Sequence, residues 1–123
     1  MIIGTGVDIV DLNRVRRIWD AYGMRFADRV LAAREREQAV RITVELLGSR
    51  LAAKEACVKA LGTGFAPGIG QHDIAVIRLG SGKPELVLSR GAKEAGDRLG
   101  LRASHLSLSH ERHLAVAMVV LES

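Results

Sequence analysis

The chain has 123 residues, of which 48% are hydrophobic but only 3% aromatic, and a net charge of +4 that puts the pI near 9.8. That length suits one domain, 1–123, large enough to bury an aliphatic, alanine-rich core without staples. No stretch nears the roughly 20 apolar residues of a membrane span, and the N-terminus lacks the basic n-region and cleavage site of a signal peptide, so no membrane partner and no export are expected. The single Cys57 cannot form an internal disulfide, which predicts a reducing, cytoplasmic setting. The basic balance points to acidic partners, whether nucleic acid, phosphorylated small molecules or an acidic protein.

MIIGTGVDIV reads as a strand. Alternation puts Gly4, Gly6, Asp8 and Val10 on one face, where two glycines clear space beside an aspartate. DLNRVRRIWDAY reads as an amphipathic helix with Val15, Trp19 and Tyr22 on its apolar side and Arg14 and Arg17 on another, ended by Gly23. From Phe26 to Leu47 the pattern is helical but heavily charged. Gly48-Ser49 is either a break with Ser49 as N-cap or a weak point in one long helix. In LAAKEACVKALGTG, Leu51, Val58 and Leu61 line one side of a helix, yet Lys54 sits amid them and Glu55 and Lys59 at their edge. DIAVIRLG, an SGKP turn and ELVLS form two strands, and RGAKEAGDRLG a helix. HLSLSH alternates polar and apolar. LAVAMVVLE is apolar on both faces and should be a central strand. Strands and helices mix without strict alternation, which predicts an α+β fold: a largely antiparallel sheet with helices packed on one side.

GTG lacks the third glycine of a dinucleotide fingerprint, and no Walker A loop or Cys/His zinc spacing is present. Ser107 and Ser109 lie along one strand with the nearby histidines, two residues apart, poor geometry for a base to reach a neighbouring hydroxyl. Asp8 and Glu55 remain. Two carboxylates from separate elements suit Mg²⁺, which takes few protein ligands and fills its other positions with water and substrate phosphates. Lys59, one helical turn past Glu55, adds a cation to the same place. Together they form a minimal set for phosphoryl-type transfer. On spacing alone, Glu55 and Lys59 also read as an ordinary i,i+4 pair. Asp8 also reads as a cap for the next helix, Lys54 as a side chain reaching water, and the arginines as a solvated helix face.

Four blocks then carry a resemblance: GTGVDIVDLNRV, SRLAAKEACVKALGTG, SGKPELVL and SHLSLSHERHLAVAMVVLE, in that order over nearly the whole chain. They resemble the holo-acyl-carrier-protein synthases, the small 4′-phosphopantetheinyl transferases. The resemblance implies transfer of the 4′-phosphopantetheine group of coenzyme A to a serine of apo acyl carrier protein, releasing 3′,5′-ADP, for fatty-acid biosynthesis. A polyketide or other specialised carrier is the alternative. It implies Asp8 and Glu55 as Mg²⁺ ligands, Lys59 as a contact to the phosphate under attack, and Glu55 or a metal-bound water as base. It places His105, Arg50 and the Gly62-Thr63-Gly64 loop against coenzyme A. It gives Arg14 a role in gripping the acidic carrier, shared by Arg17 and Arg25, and implies a homotrimer with sites between subunits.

Departures touch packing or carrier contacts rather than the metal ligands: Leu51 replaces an aromatic and bears on carrier preference, and Ala32 replaces a helix-opening threonine, which weakens that cap. A basic module for nucleic acid is the rival from another class. It needs exposed aromatics among basic residues, whereas Trp19, Tyr22 and Phe26 fall at core spacing, so no nucleic-acid partner is expected. Lys54 is left either to a neighbouring subunit or to solvent.

Overall fold

The computed structural model describes residues 1–123. In chain order it has strand β1 (Ile2–Asp11), helices α1 (Leu12–Tyr22), α2 (Met24–Val30), α3 (Ala33–Gln38) and α4 (Val44–Leu61), and a 3₁₀ turn at Gln71–Asp73. Strands β2 (Ile74–Arg78) and β3 (Pro84–Leu88), helix α5 (Arg90–Arg98), and strands β4 (Ala103–His110) and β5 (Leu114–Glu122) follow. The fold is α+β and every strand pair is antiparallel, but the strands divide into two sheets. One has the order β1-β5-β4 and the other is the β2-β3 hairpin. The strand apolar on both faces, β5, takes the central place its composition demands.

Helix α4 lies across the inner face of the larger sheet. Ala115, Ala117, Val119 and Leu121 of β5 are buried there, against Ala52, Ala53, Ala56 and Ala60 of α4. These small residues bring helix backbone onto strand backbone. A Cβ on Gly6 would overlap the carbonyl oxygen of Ala56, and one on Gly4 that of Ala60. The space that these glycines clear is therefore filled by α4 itself. That close approach sets α4 beside Asp8. A second apolar cluster joins Leu12 and Val15 of α1 and Ala27 and Val30 of α2 to Val44 and Leu47 of α4.

Local chemistry explains most boundaries. The Asp11 carboxylate, not that of Asp8, caps α1 by accepting from Asn13 N at 2.9 Å. Thr43 caps α4 by accepting from Leu46 N at 3.0 Å. Gly48 and Ser49 consequently lie inside one continuous helix, where the Ser49 hydroxyl donates to the Leu46 carbonyl at 2.9 Å. Gly62 ends α4 in the left-handed region at φ 78°. The charged run from Phe26 to Leu47 is three helical pieces rather than one. Ala32 gives α3 no side-chain cap, and the Glu35 carboxylate accepts from its N–H at 2.8 Å instead.

Two sequence readings are corrected here. Lys54 reaches neither solvent nor a second subunit: it is 0% exposed, and its ammonium donates to Glu35 Oε1 at 2.6 Å. Tyr22 is not in the core but 59% exposed, because it turns over the surface between α1 and α2. No helix is long and apolar enough to cross a membrane.

Candidate active site

The contact of β1 with α4 joins two of the residues singled out from sequence, Asp8 and Lys59. Lys59 donates to Asp8 Oδ1 and to the Val7 carbonyl, each at 3.0 Å. Glu55 stands one helical turn before Lys59, on the same face and half-buried. It is adjacent in sequence to Ala56, whose carbonyl faces Gly6. It enters none of the ion pairs of the chain. Asp8 is mostly buried, with its side chain 17% exposed, whereas Lys59 is open to solvent at 52%. Asp8 is thus held by a solvent-open lysine, and Glu55, free of any protein cation, stands one turn along the same helix face.

The donor set fits a magnesium ion. No cluster of three or more His, Cys, Asp and Glu side chains closes a cage. A pair of carboxylates leaves most of an octahedral shell to water and phosphate oxygens, the pattern Mg²⁺ favours. The Gly62-Thr63-Gly64 loop leaves α4 three residues past Lys59. It is tied back through Thr63 N and Gly64 N to the Val58 carbonyl at 3.2 and 3.3 Å, so it begins beside the same spot.

Arg50 and His105 lie elsewhere. Nine residues before Lys59, Arg50 is turned ~180° round α4 and is buried. It lines a cleft of about 440 Å³ with Gln38, Arg41 and Arg78. Its NH1 donates to Ser49 Oγ at 3.0 Å, its Nε is 3.9 Å from Glu35 Oε2, and that Nε has no hydrogen-bond partner. Burial and then the charge of Arg78 draw its pKa down, against the pull of Glu35. Such crowded positive charge is a place for an anion. His105 sits on β4 opposite Val120, which in turn pairs with Thr5. It therefore faces away from α4, on the other side of the sheet from Asp8, and meets Glu122 Oε1 at 2.5 Å. One copy of the chain does not bring Arg50 or His105 to the carboxylates.

Arg14, Arg17 and Arg25 are all exposed. Arg25 lines a groove of about 650 Å³ with Ile18, Tyr22, Phe26, Arg29, Leu51 and Gln71. Arg14 lies one turn before Ile18 on the same helix face. The groove pairs an apolar floor with a basic rim. Arg29 and Tyr22 were missed as lining residues, although Arg25 and Arg29 already have i,i+4 spacing. Trp19 and Phe26 pack against the core as their spacing predicts, and Tyr22 alone is exposed. Cys57 is buried and its thiol is pushed up to about 12 by that burial, which makes it inert.

Comparison with known proteins gives this geometry a family. The holo-[acyl-carrier-protein] synthase of Desulfovibrio desulfuricans is 45% identical over 123 residues, covering 100% of this chain and 99% of that protein. The crystal structure of holo-[acyl-carrier-protein] synthase from Neisseria meningitidis matches with a TM-score of 0.88 and 36% identity, over 100% of both chains. That of Bacillus anthracis, in complex with CoA (3′,5′-ADP), matches with a TM-score of 0.82 and 38% identity, over 100% of this chain and 98% of that one. Residues 4–117 match the family model described as the 4′-phosphopantetheinyl transferase superfamily. With a fold, a carboxylate pair and full-length likeness all in agreement, the chain belongs to the 4′-phosphopantetheinyl transferase superfamily.

Proposed function

We propose that the chain is a holo-[acyl-carrier-protein] synthase, a single-domain enzyme that moves 4′-phosphopantetheine from coenzyme A to a serine of apo acyl carrier protein. The observation that carries this reading is the Lys59–Asp8 contact at the β1–α4 seam, with Glu55 one turn away on the same helix face, in a chain 45% identical to a holo-[acyl-carrier-protein] synthase. Fatty-acid biosynthesis, in the cytoplasm, is the setting that fits a basic chain whose one thiol is buried.

Asp8 and Glu55 would hold Mg²⁺, which supplies charge neutralisation at the coenzyme A pyrophosphate. The chain's residues do the rest. Glu55, with no protein cation of its own, is placed to take the serine proton. The serine oxygen forms a bond to the phosphorus that carries the pantetheine arm. The bond from that phosphorus to the bridging oxygen breaks, and 3′,5′-ADP leaves with the electron pair. Lys59 can swing from Asp8 to the departing phosphate and balance its growing charge. The groove of Ile18, Tyr22 and Phe26, rimmed by Arg25 and Arg29 and approached over Arg14 and Arg17, suits an acidic carrier with an apolar patch.

Assembly would complete the site. The outer face of the larger sheet exposes Val7 at 56%, Ile9 at 63% and Met118 at 51%, with Val7 opposite Met118 and Ile9 opposite Val116. A contiguous apolar face of this kind calls for a protein partner, and a homotrimer would cover it in every copy. The same assembly would let Arg50, beside Arg41 and Arg78, and His105 serve coenzyme A held at a neighbouring copy's carboxylates.

The direct test is incubation with coenzyme A, Mg²⁺ and several apo carriers, followed by mass spectrometry of each carrier. The mass of one phosphopantetheine group is expected on at least one of them. No gain on any carrier refutes the enzyme.

A further inference from the structure

Lys54 belongs to neither set of proposed contacts, yet it is the largest fully buried side chain. Its ammonium has three N–H groups to satisfy, and three acceptors meet them. They are Glu35 Oε1 at 2.6 Å, the Gln71 carbonyl at 2.9 Å and the Val30 carbonyl. Glu35 is also saturated. It accepts from Ala32 N at 2.8 Å and from Val76 N at 3.1 Å, with Arg50 as a second cation at 3.9 Å. Burial draws the Lys54 pKa down, while the charge and hydrogen bond of Glu35 oppose it.

The positions of those acceptors matter. Val30 is the last residue of α2 and Gln71 opens the 3₁₀ turn, and both line the groove of about 650 Å³. The turn is closed on itself by Asp73, whose carboxylate accepts from Gly70 N at 2.9 Å and from Arg90 Nε at 2.7 Å. At its near end the side chain of Gln71 gives no help, because its Oε1 is buried without a partner. Lys54 is what ties the Gln71 carbonyl to α4. One buried cation on α4 therefore spans the two walls of the groove.

We propose that Lys54 is a positioning residue for the carrier: it sets the separation of the Val30 and Gln71 walls and so the fit of the docking partner. This rests on the reading that the groove receives the carrier. Lys54 acts on docking rather than chemistry, because five residues of helix turn it ~140° from Lys59 and it touches no group of the carboxylate site.

Two measurements test this. In Lys54→Met, Glu35 keeps its two main-chain donors and Arg50, so the buried carboxylate is not left bare. The KM for apo carrier should rise about fivefold to tenfold, with kcat and the KM for coenzyme A within about threefold of wild type. A fall in kcat at unchanged carrier KM overturns the proposal, as does wild-type carrier KM. The second measurement needs no variant. In wild-type protein labelled with ¹⁵N-lysine, one ammonium should resist solvent exchange. Its resonance should shift on adding apo carrier and stay fixed on adding coenzyme A alone. An unmoved signal, while Trp19 on the adjoining helix reports bound carrier, overturns the role of Lys54 and leaves the groove standing. Wild-type protein that neither binds nor modifies carrier refutes the enzyme instead, and the same titration reads it.

Discussion

Lys59 clasps Asp8 from one turn beyond Glu55: its ammonium donates to the Asp8 carboxylate and to the Val7 carbonyl, each at 3.0 Å. The pair straddles the β1–α4 seam and is half open to water. With its lysine open to solvent, such an ion pair adds on the order of 1 kcal/mol to stability. Lys59→Ala should therefore melt within a few degrees of wild type. Its transfer rate should fall on the order of 10²-fold, the size of losing one charge-stabilising group in a transition state. Steady-state kinetics beside a thermal melt checks both halves. Near-normal kcat would mean that this lysine only holds the aspartate.

Gly6 is the residue on which the site depends without touching a ligand. Its missing Cβ is where the Ala56 carbonyl lies, and backbone cannot step aside as a flexible side chain does. Gly6→Ala must push α4 off β1 and carry Glu55 away from Asp8. A cost of about 3 kcal/mol is expected, at the upper end for overpacking. That is roughly 10 °C in Tm for a domain of this size. Transfer should fall with it in whatever protein remains folded. Unchanged Tm and rate would show that the seam is looser than it looks.

Met118 and Val7 stand opposite each other on the exposed sheet face. A charge at its centre should prevent burial of that face, since an unpaired carboxylate there cannot be desolvated cheaply. Met118→Asp is expected to run as a monomer by light scattering, the wild type being expected at three chain masses, and to lose transfer. A variant that keeps the wild-type mass would clear this face of any part in assembly.

Asp73 gives the acid limb of stability. Burial by itself would raise its pKa, but the Gly70 N–H and the hydrogen bond and charge of Arg90 outweigh that and hold it below 3.8. The folded chain thus prefers the ionised form. The stabilisation is complete well above pH 3.8 and disappears as pH falls through the lower, folded value. Asp73→Asn should cost about 1–3 kcal/mol at neutral pH. Its melting curve should converge on that of wild type toward pH 3. A gap independent of pH would deny the carboxylate this role.

Much of this was legible before any coordinates. β1, α1, the cap at Gly62 and the central place of β5 follow from period and turn chemistry, because each is a local rule applied to adjacent residues. So does the pairing of Glu55 with Lys59 on one helix face. The partner of Lys54 was not legible. Glu35 lies 19 residues away in a run of charges that all read as solvated, and periodicity cannot say which of them turns inward. The glycines of β1 were read correctly as absence of bulk, but what fills that space is a tertiary fact. His105 and Arg50 still stand apart from Asp8, because strand alternation puts His105 on the opposite sheet face and nine residues of helix turn Arg50 away from Lys59.

The central claim is that Asp8 and Glu55 share one divalent cation with the diphosphate of coenzyme A. Calorimetric titration of Mg²⁺ into protein saturated with coenzyme A tests it most directly, on wild type, Asp8→Ala and Glu55→Ala. One ion per chain is expected for wild type and none for either variant, each still folded and each slower in transfer by at least about 10³-fold. Undiminished Mg²⁺ binding in both variants would contradict the account.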